Sequence, residues 1–152
     1  VGRPYLKYNQ NYQFQARYED GSNLPLYPFG YGLNYSRFKY VDLKVNKKEF
    51  TKDESILVNV EIENVSDIDG YEIIQLYIND KFAEVARPNK ELKDFKRVFL
   101  KAREKKKVEF EISTDKLAYY HFDGTYYADN GEFDIYIGGS SEVENYITIK
   151  LI

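Results

Sequence analysis

The 152-residue sequence contains no cysteine, no methionine, no tryptophan and a single histidine. Without cysteine there is no disulfide framework, no thiolate metal centre and no cysteine nucleophile. Without methionine a chain that begins at Val1 is expected to be a processed or excised part of something larger. Long apolar runs are also missing, which excludes a membrane-spanning helix and the apolar core of a signal peptide. Charge of one sign is not in excess either: 22 Lys plus Arg face 25 Asp plus Glu, for a net charge of -3. Nucleic acid and anionic membrane surfaces, which require a concentrated basic face, are therefore not expected partners.

Aromatic residues are what the sequence does have. They make up 17% of the chain, as 16 Tyr and 10 Phe, and nine of them fall between Tyr5 and Tyr35. That stretch, residues 1–36, is broken by Pro4, Pro25, Pro28, Gly21, Gly30 and Gly32 and shows little periodicity. Tyrosine rings carry hydroxyls that need partners once buried, so the segment is expected to pack against a surface.

From about Arg37 the pattern alternates with period two, which marks strands with one buried face. Phe38, Tyr40, Leu43 and Val45 indicate a first strand, and Ile56, Val58, Val60 and Ile62 a second. Glu72 to Ile78 is apolar on both faces, as a central strand would be. Phe95 to Leu100, then Val108, Phe110 and Ile112, Leu117 to Phe122, then Phe133, Ile135 and Ile137, and finally Ile147, Ile149 and Leu151 follow. The intervening Lys101 to Lys107 (KAREKKK) reads as a solvated loop. Seven or eight short strands, turns every eight to twelve residues and no convincing amphipathic helix imply an all-β, antiparallel immunoglobulin-like or fibronectin type III-like β-sandwich over 37–152, behind an irregular aromatic-rich extension.

Candidates for chemistry are sparse. The acidic pairs Glu61/Glu63, Glu109/Glu111 and Glu132/Asp134 fall about 6.6 Å apart on one strand face, near the spacing of glycosidase carboxylates. Their alternation with Ile, Val and Phe reads them as solvent-face acids. His121, between Tyr120 and Phe122, has no Ser, Cys or second His at a triad or zinc spacing and reads as structural. Asp67 and Asp69 before Gly70 lack the third acid and closing Glu of a calcium loop and read as a turn. Gly30-Tyr31-Gly32 lacks the third glycine of a dinucleotide fingerprint. No catalytic, cofactor-binding or metal-binding residue is nominated.

Leu26 to Ser36 (LYPFGYGLNYS) resembles the LYPFGYGLSYT segment of the family 3 glycoside hydrolases, the β-glucosidases and β-xylosidases. Further blocks keep the family's order. Gly2-Arg3-Pro4-Tyr5 resembles GRPY, and Ala16-Arg17-Tyr18 followed by an acid resembles SRYFD. Asn64 to Tyr77 resembles a block ending in EVVQLY, with Ser66 at a usual glycine. Arg87 to Phe95 resembles RPVKELKGF, with Asp94 at a glycine, and Gly131-Glu132-Phe133 through Gly138 resembles a final GEF strand.

The resemblance implies a longer parent, a retaining β-glycosidase. Its barrel domain supplies a nucleophilic Asp in a Ser-Asp-Trp type motif, and its α/β domain an acid/base Glu, neither of which maps onto a position here. It implies that residues 1–36 are the connector and tail of the preceding domain, with Leu26, Tyr27, Pro28, Phe29, Gly30, Tyr31, Gly32, Leu33 and Tyr35 as packed interdomain residues. It also implies that 37–152 is a noncatalytic C-terminal module that stabilises the α/β domain and shapes the active-site rim. The expected partners are the upstream catalytic domains of the same polypeptide. Carbohydrate, stacked on surface Tyr, is the alternative partner, and a purely adhesive or oligomerising sandwich the third reading. No cofactor is implied.

Overall fold

The computed structural model describes residues 26–152. Two antiparallel layers enclose one core. The smaller layer holds β1 (Phe38–Val45), β3 (Ile56–Asn64) and β6 (Lys105–Ile112) in the order β1-β3-β6. The larger holds β2 (Glu49–Phe50), β4 (Gly70–Asp80), β5 (Glu91–Leu100), β9 (Gly131–Gly138) and β10 (Tyr146–Leu151) in the order β2-β10-β9-β4-β5. Among the described residues only the short β2/β10 pair is parallel. A single helical turn, α1 (Thr114–Leu117), leads into a separate hairpin of β7 (Tyr119–Tyr120) and β8 (Tyr126–Tyr127).

Strict alternation drives the layering. In β3 every second residue is buried, placing Ile56, Val58, Val60 and Ile62 inward and Leu57, Asn59, Glu61 and Glu63 outward. Val108, Phe110 and Ile112 of β6 face the same interior, as do Ile74, Leu76 and Ile78 of β4 and Phe133, Ile135 and Ile137 of β9. Each such side chain contributes roughly 1.5–3 kcal/mol on burial, so the core rests on many comparable pieces and not on one anchor.

Strand β4 lies between β9 and β5, as a central strand should. Five consecutive residues, Ile74 to Ile78, are buried. Ile74, Leu76 and Ile78 are covered by the facing layer. Gln75 and Tyr77 point outward and are covered by the segment that precedes β1, so the apolar character on both faces has two separate causes.

Other elements depart from the sequence reading. Lys105, Lys106 and Lys107 are not loop residues: they open β6 and pair with Glu63, Ile62 and Glu61 of β3. The turn itself is confined to 101–104, where Arg103 takes a left-handed φ of 62° and reaches Asp67 at 2.8 Å. Glu63 across the strands from Lys105 at 3.3 Å and Glu104 beside Lys106 at 3.4 Å offset the mutual repulsion that kept the lysines out of a strand on paper. Strand β5 begins at Glu91, four residues before Phe95, because Arg87 and Lys93 neutralise Glu91 and let a polar stretch join the sheet edge. Asp134 is not a solvent-face acid. It is buried, accepts the Thr148 hydroxyl at 2.6 Å and pairs with Lys81 at 3.2 Å.

Candidate interaction surface around the connector

The segment before β1 is fastened across the outer face of β4 by backbone contacts that the sequence alone does not display. Pro28 to Tyr31 make a tight turn closed by Tyr31 N–H donating to the Pro28 carbonyl at 3.1 Å. Gly30, third in that turn, has φ 79°, the left-handed conformation that a type II turn requires there. A β-carbon at Gly30 would stand 2.0 Å from Gln75 Oε1 and 2.5 Å from the Tyr77 hydroxyl, so both backbone twist and space demand glycine.

Gln75 is the clamp. Its Nε2 donates to the carbonyls of Gly30 at 2.9 Å and Gly139 at 2.7 Å, joining the connector to the β9–β10 loop. The Tyr77 hydroxyl donates to Gln75 Oε1 and fixes the amide's orientation, while burial pushes that phenol up to about 12. Ser141 N–H donates to the Phe29 carbonyl at 2.9 Å, and the Phe29 ring meets Tyr77 edge-on at 6.4 Å. Further along, Asn34 Nδ2 donates to the Tyr71 carbonyl at 2.7 Å. Buried Ser36 donates to the Ile68 carbonyl at 3.0 Å.

The backbone is held and the side chains are not. Leu26 is 87% exposed, Leu33 88% and Tyr35 94%, and Tyr27 stacks on Tyr31 at 5.2 Å with both rings half in solvent. Phe29, Gly30 and Ser36 touch the sandwich, while the large side chains at Leu26, Leu33 and Tyr35 are exposed. Gly32, unlike Gly30, has open space around it.

The outer sheet face continues this apolar surface. Tyr71 and Ile73 lie on β4 in line with Gln75 and Tyr77, and β5 sets Phe99, Arg97 and Phe95 opposite Tyr71, Ile73 and Gln75. Tyr71 and Phe99 pack at 5.1 Å, Arg97 lies 3.7 Å over the Tyr71 ring, and Phe95 is 61% exposed. The sequence signal for this face was present as the second parity of β4 and β5, Tyr-Ile-Gln-Tyr against Phe-Arg-Phe. What it lacked was any sign that Gln75 receives Gly30 from 45 residues away.

The sequence-level candidates fall elsewhere. Glu61/Glu63 and Glu109/Glu111 lie on the outer face of the three-stranded sheet, where Glu63 faces Lys105 at 3.3 Å. Asp67 is bound by Arg103 and held below the usual carboxylate range by it, and Asp69 accepts Ala102 N–H at 2.7 Å, as in a turn. Among the described residues no group of three or more metal-ligating side chains comes together. No helix among them is long and apolar enough to cross a membrane. The aromatic stretch from Tyr5 to Tyr18, and the motifs at Gly2 to Tyr5 and Ala16 to Tyr18, lie outside the described residues.

His121 is buried between rings. It stacks on Tyr119 at 4.1 Å and on Tyr127 at 3.8 Å, and its Nδ1 meets the Glu84 carboxylate at 2.8 Å. Burial opposes its protonation, but the Glu84 carboxylate, the Tyr127 carbonyl and nearby Asp129 outweigh it and raise its pKa. It has no hydroxyl or thiol to activate, and its contacts are those of a structural clasp.

Comparison with known proteins fits this architecture. Residues 72–141 match the fibronectin type III-like domain family. Thermostable β-glucosidase B of Acetivibrio thermocellus is 41% identical over 138 residues, 90% of this chain and 18% of the relative. A β-xylosidase of Formosa agariphila is 35% identical over 137 residues, again 90% of the chain and 19% of the relative. The crystal structure of a β-glucosidase from Listeria innocua superposes with a TM-score of 0.81 and 37% identity, over 99% of this chain and 21% of that one. The chain spans about a fifth of the length of the proteins it matches.

Proposed function

Because the chain is a fibronectin type III-like domain of the family 3 glycoside hydrolases, we propose that it serves a longer β-glycosidase polypeptide as a noncatalytic accessory module, seated through the connector and the outer face of β4 and β5. A single observation carries this reading. The connector backbone is clamped by Gln75, Ser141 and Asn34, yet Leu26, Leu33 and Tyr35 are exposed, as are Tyr71, Phe95 and Phe99 on the outer face of β4 and β5. A rigid backbone that presents apolar side chains to solvent is built to meet another surface. The wedge of Leu26 to Tyr35 then fixes the angle at which the module meets its neighbour, and the sheet face supplies area.

Phe95→Ser with Phe99→Ser, made in the isolated chain and in the longer gene product, tests this. The melting temperature of the isolated chain is expected to change little, while the longer product loses roughly 2–4 kcal/mol of stability as two buried rings are removed. Equal effects in both contexts would show that this face meets nothing. The isolated chain is also expected to leave aryl β-glucosides and β-xylosides uncleaved.

A further inference from the structure

Two arginines among the described residues lie over tyrosine rings, and only one of them is answered by acid. Arg87 stands 4.6 Å over Tyr119 with its guanidinium on Asp80 at 3.0 Å and on Glu91, and its side chain is only 11% exposed. Arg97 stands 3.7 Å over Tyr71 on the outer face of β5 and is exposed. No ion pair joins Arg97 to a described residue. The acids of β4 and β5 are engaged elsewhere: Glu72 with the Tyr40 hydroxyl, Asp80 and Glu91 with Arg87, and Asp94 with Lys116.

The immediate surroundings of Arg97 carry no other charge. Its outward neighbours on β5 are Phe95 and Phe99, and across the ladder it faces Ile73, between Tyr71 and Gln75. The Gln75 amide is already committed to Gly30, Gly139 and Tyr77. A guanidinium has five N–H donors in a planar fork. Stacking on Tyr71 occupies the flat face of that fork and leaves the donors at its edge to water. While the sheet face is open, this arrangement costs little. Once another surface covers Phe95 and Phe99, the donors lose their water, and a covered charge without a counter-ion is strongly unfavourable.

A neutral acceptor on the covering surface would meet some of the donors and leave the charge uncompensated. A carboxylate meets both needs, and its two oxygens match two parallel N–H groups of the fork. Arg87 shows the same solution inside this molecule, over a tyrosine ring, mostly out of water and met by carboxylates. We propose that the domain seated on the β4–β5 face supplies a carboxylate to Arg97, which makes this arginine the charged centre of an otherwise apolar interface.

The inference rests on the reading of that face as the seat of the module, and it adds the chemistry of the partner: an apolar patch around one Asp or Glu side chain. Arginine and aromatic residues are the types that concentrate binding energy at interfaces. Apolar rings alone tolerate sliding, whereas a two-point ion pair at Arg97 fixes the register of the contact.

Arg97→Met, Arg97→Lys and Arg97→Glu, each made in the longer gene product and in the 152-residue chain, test this through the urea midpoint for unfolding of the module. Methionine keeps the apolar stem and removes the charge, so the sign of its effect decides. With a carboxylate opposite, the substitution leaves that carboxylate covered and unpaired, and the midpoint of the longer product falls. With none, it removes a covered and unpaired charge, and the midpoint rises or stays. The fall is expected, equivalent to about a hundredfold shift toward the undocked state. Arg97→Lys should lie between the parent and Arg97→Met, Arg97→Glu should lie lowest, and all three should change the 152-residue chain far less. A rise or no change with Arg97→Met, while Phe95→Ser with Phe99→Ser still lowers the longer product, would overturn the carboxylate and leave the seat standing. An equal fall in both proteins would place the acid within the 152-residue chain and overturn the proposal too. If the phenylalanine pair acts alike in both proteins, the seat itself fails and the carboxylate with it.

Discussion

Two regions of this molecule are rich in aromatic rings, and they use them in opposite ways. At one end of the sandwich a column runs from the Arg87 guanidinium, 4.6 Å over Tyr119, through His121 to Tyr127, with Lys52 5.9 Å from that last ring. The polar atoms at its centre, the Tyr119 hydroxyl and both His121 ring nitrogens, are answered. The Tyr119 hydroxyl donates to Asp129 and accepts the Glu84 backbone N–H at 3.0 Å, and burial followed by Asp129 lifts that phenol to about 12. The column ties together the 81–90 crossing, the β7–β8 hairpin and the β2–β3 turn. On the outer face of β4 and β5, by contrast, Tyr71, Phe95, Phe99 and the connector side chains have one side satisfied and the other open. Aromatic content alone does not distinguish a closed structural stack from a surface awaiting a neighbour; the partners of the hydroxyls and backbone do.

The largest effect should come from breaking the closed region. Tyr119→Ala removes a buried ring from the middle of the column and is expected to cost roughly 3–5 kcal/mol in urea unfolding. Replacing Phe95 with Ala in the isolated chain provides the contrast, and comparable losses at the two positions would erase the distinction.

Gly30→Val comes next. The left-handed backbone costs a β-branched residue about 1–2 kcal/mol, and the clash with Gln75 and Tyr77 adds to it. The connector should detach while the sandwich stays folded, which appears as loss of amide-exchange protection at Ser141 with core protection intact.

A smaller effect is expected from pH. The folded-state pKa of His121 is raised, so the folded state binds its proton more tightly than the unfolded chain. The stabilisation is fully present below the ordinary histidine value of about 6.5 and fades as pH rises through the higher folded value. The groups that face the ring are Glu84, Asp129 and, more distantly, Asp123. A His121→Gln chain should show a flatter melting temperature across that window; an unchanged slope would place the titration elsewhere.

How much of this was legible beforehand depended on the range of the interactions. Strand β3 could be read directly, because alternation of Ile and Val with Glu is a local consequence of one wet and one dry face. His121 could be read as structural because no chemical partner stood near it in sequence. The sandwich itself followed from strand count and turn spacing, and the connector was singled out by its resemblance. The lysines of β6 were not legible as strand residues, since the β3 residues they pair with, Glu61 to Glu63, lie 42 to 46 positions away, and Glu63, the acid that meets Lys105, is among them. Neither were Gln75 as the receptor of Gly30, the burial of Asp134, or the bulge at Asp42, all of which are consequences of register between distant strands. The apolar outward row of Phe95 and Phe99 was visible as composition, but its exposure was not.

The smallest expected change is the one in the isolated chain at the open face itself, where Phe99→Ser should alter stability by no more than about 0.5 kcal/mol. That insensitivity leads to the most direct measurement, hydroxyl-radical labelling of the same aromatic rings in the 152-residue chain and in the longer gene product. Tyr35, Tyr71, Phe95 and Phe99 are predicted to be labelled in the first and protected in the second, with Tyr120 and Phe122 of the hairpin, exposed here, labelled alike in both. Equal labelling of Tyr35, Phe95 and Phe99 in the two proteins would contradict the assignment of this face as the seat of the module.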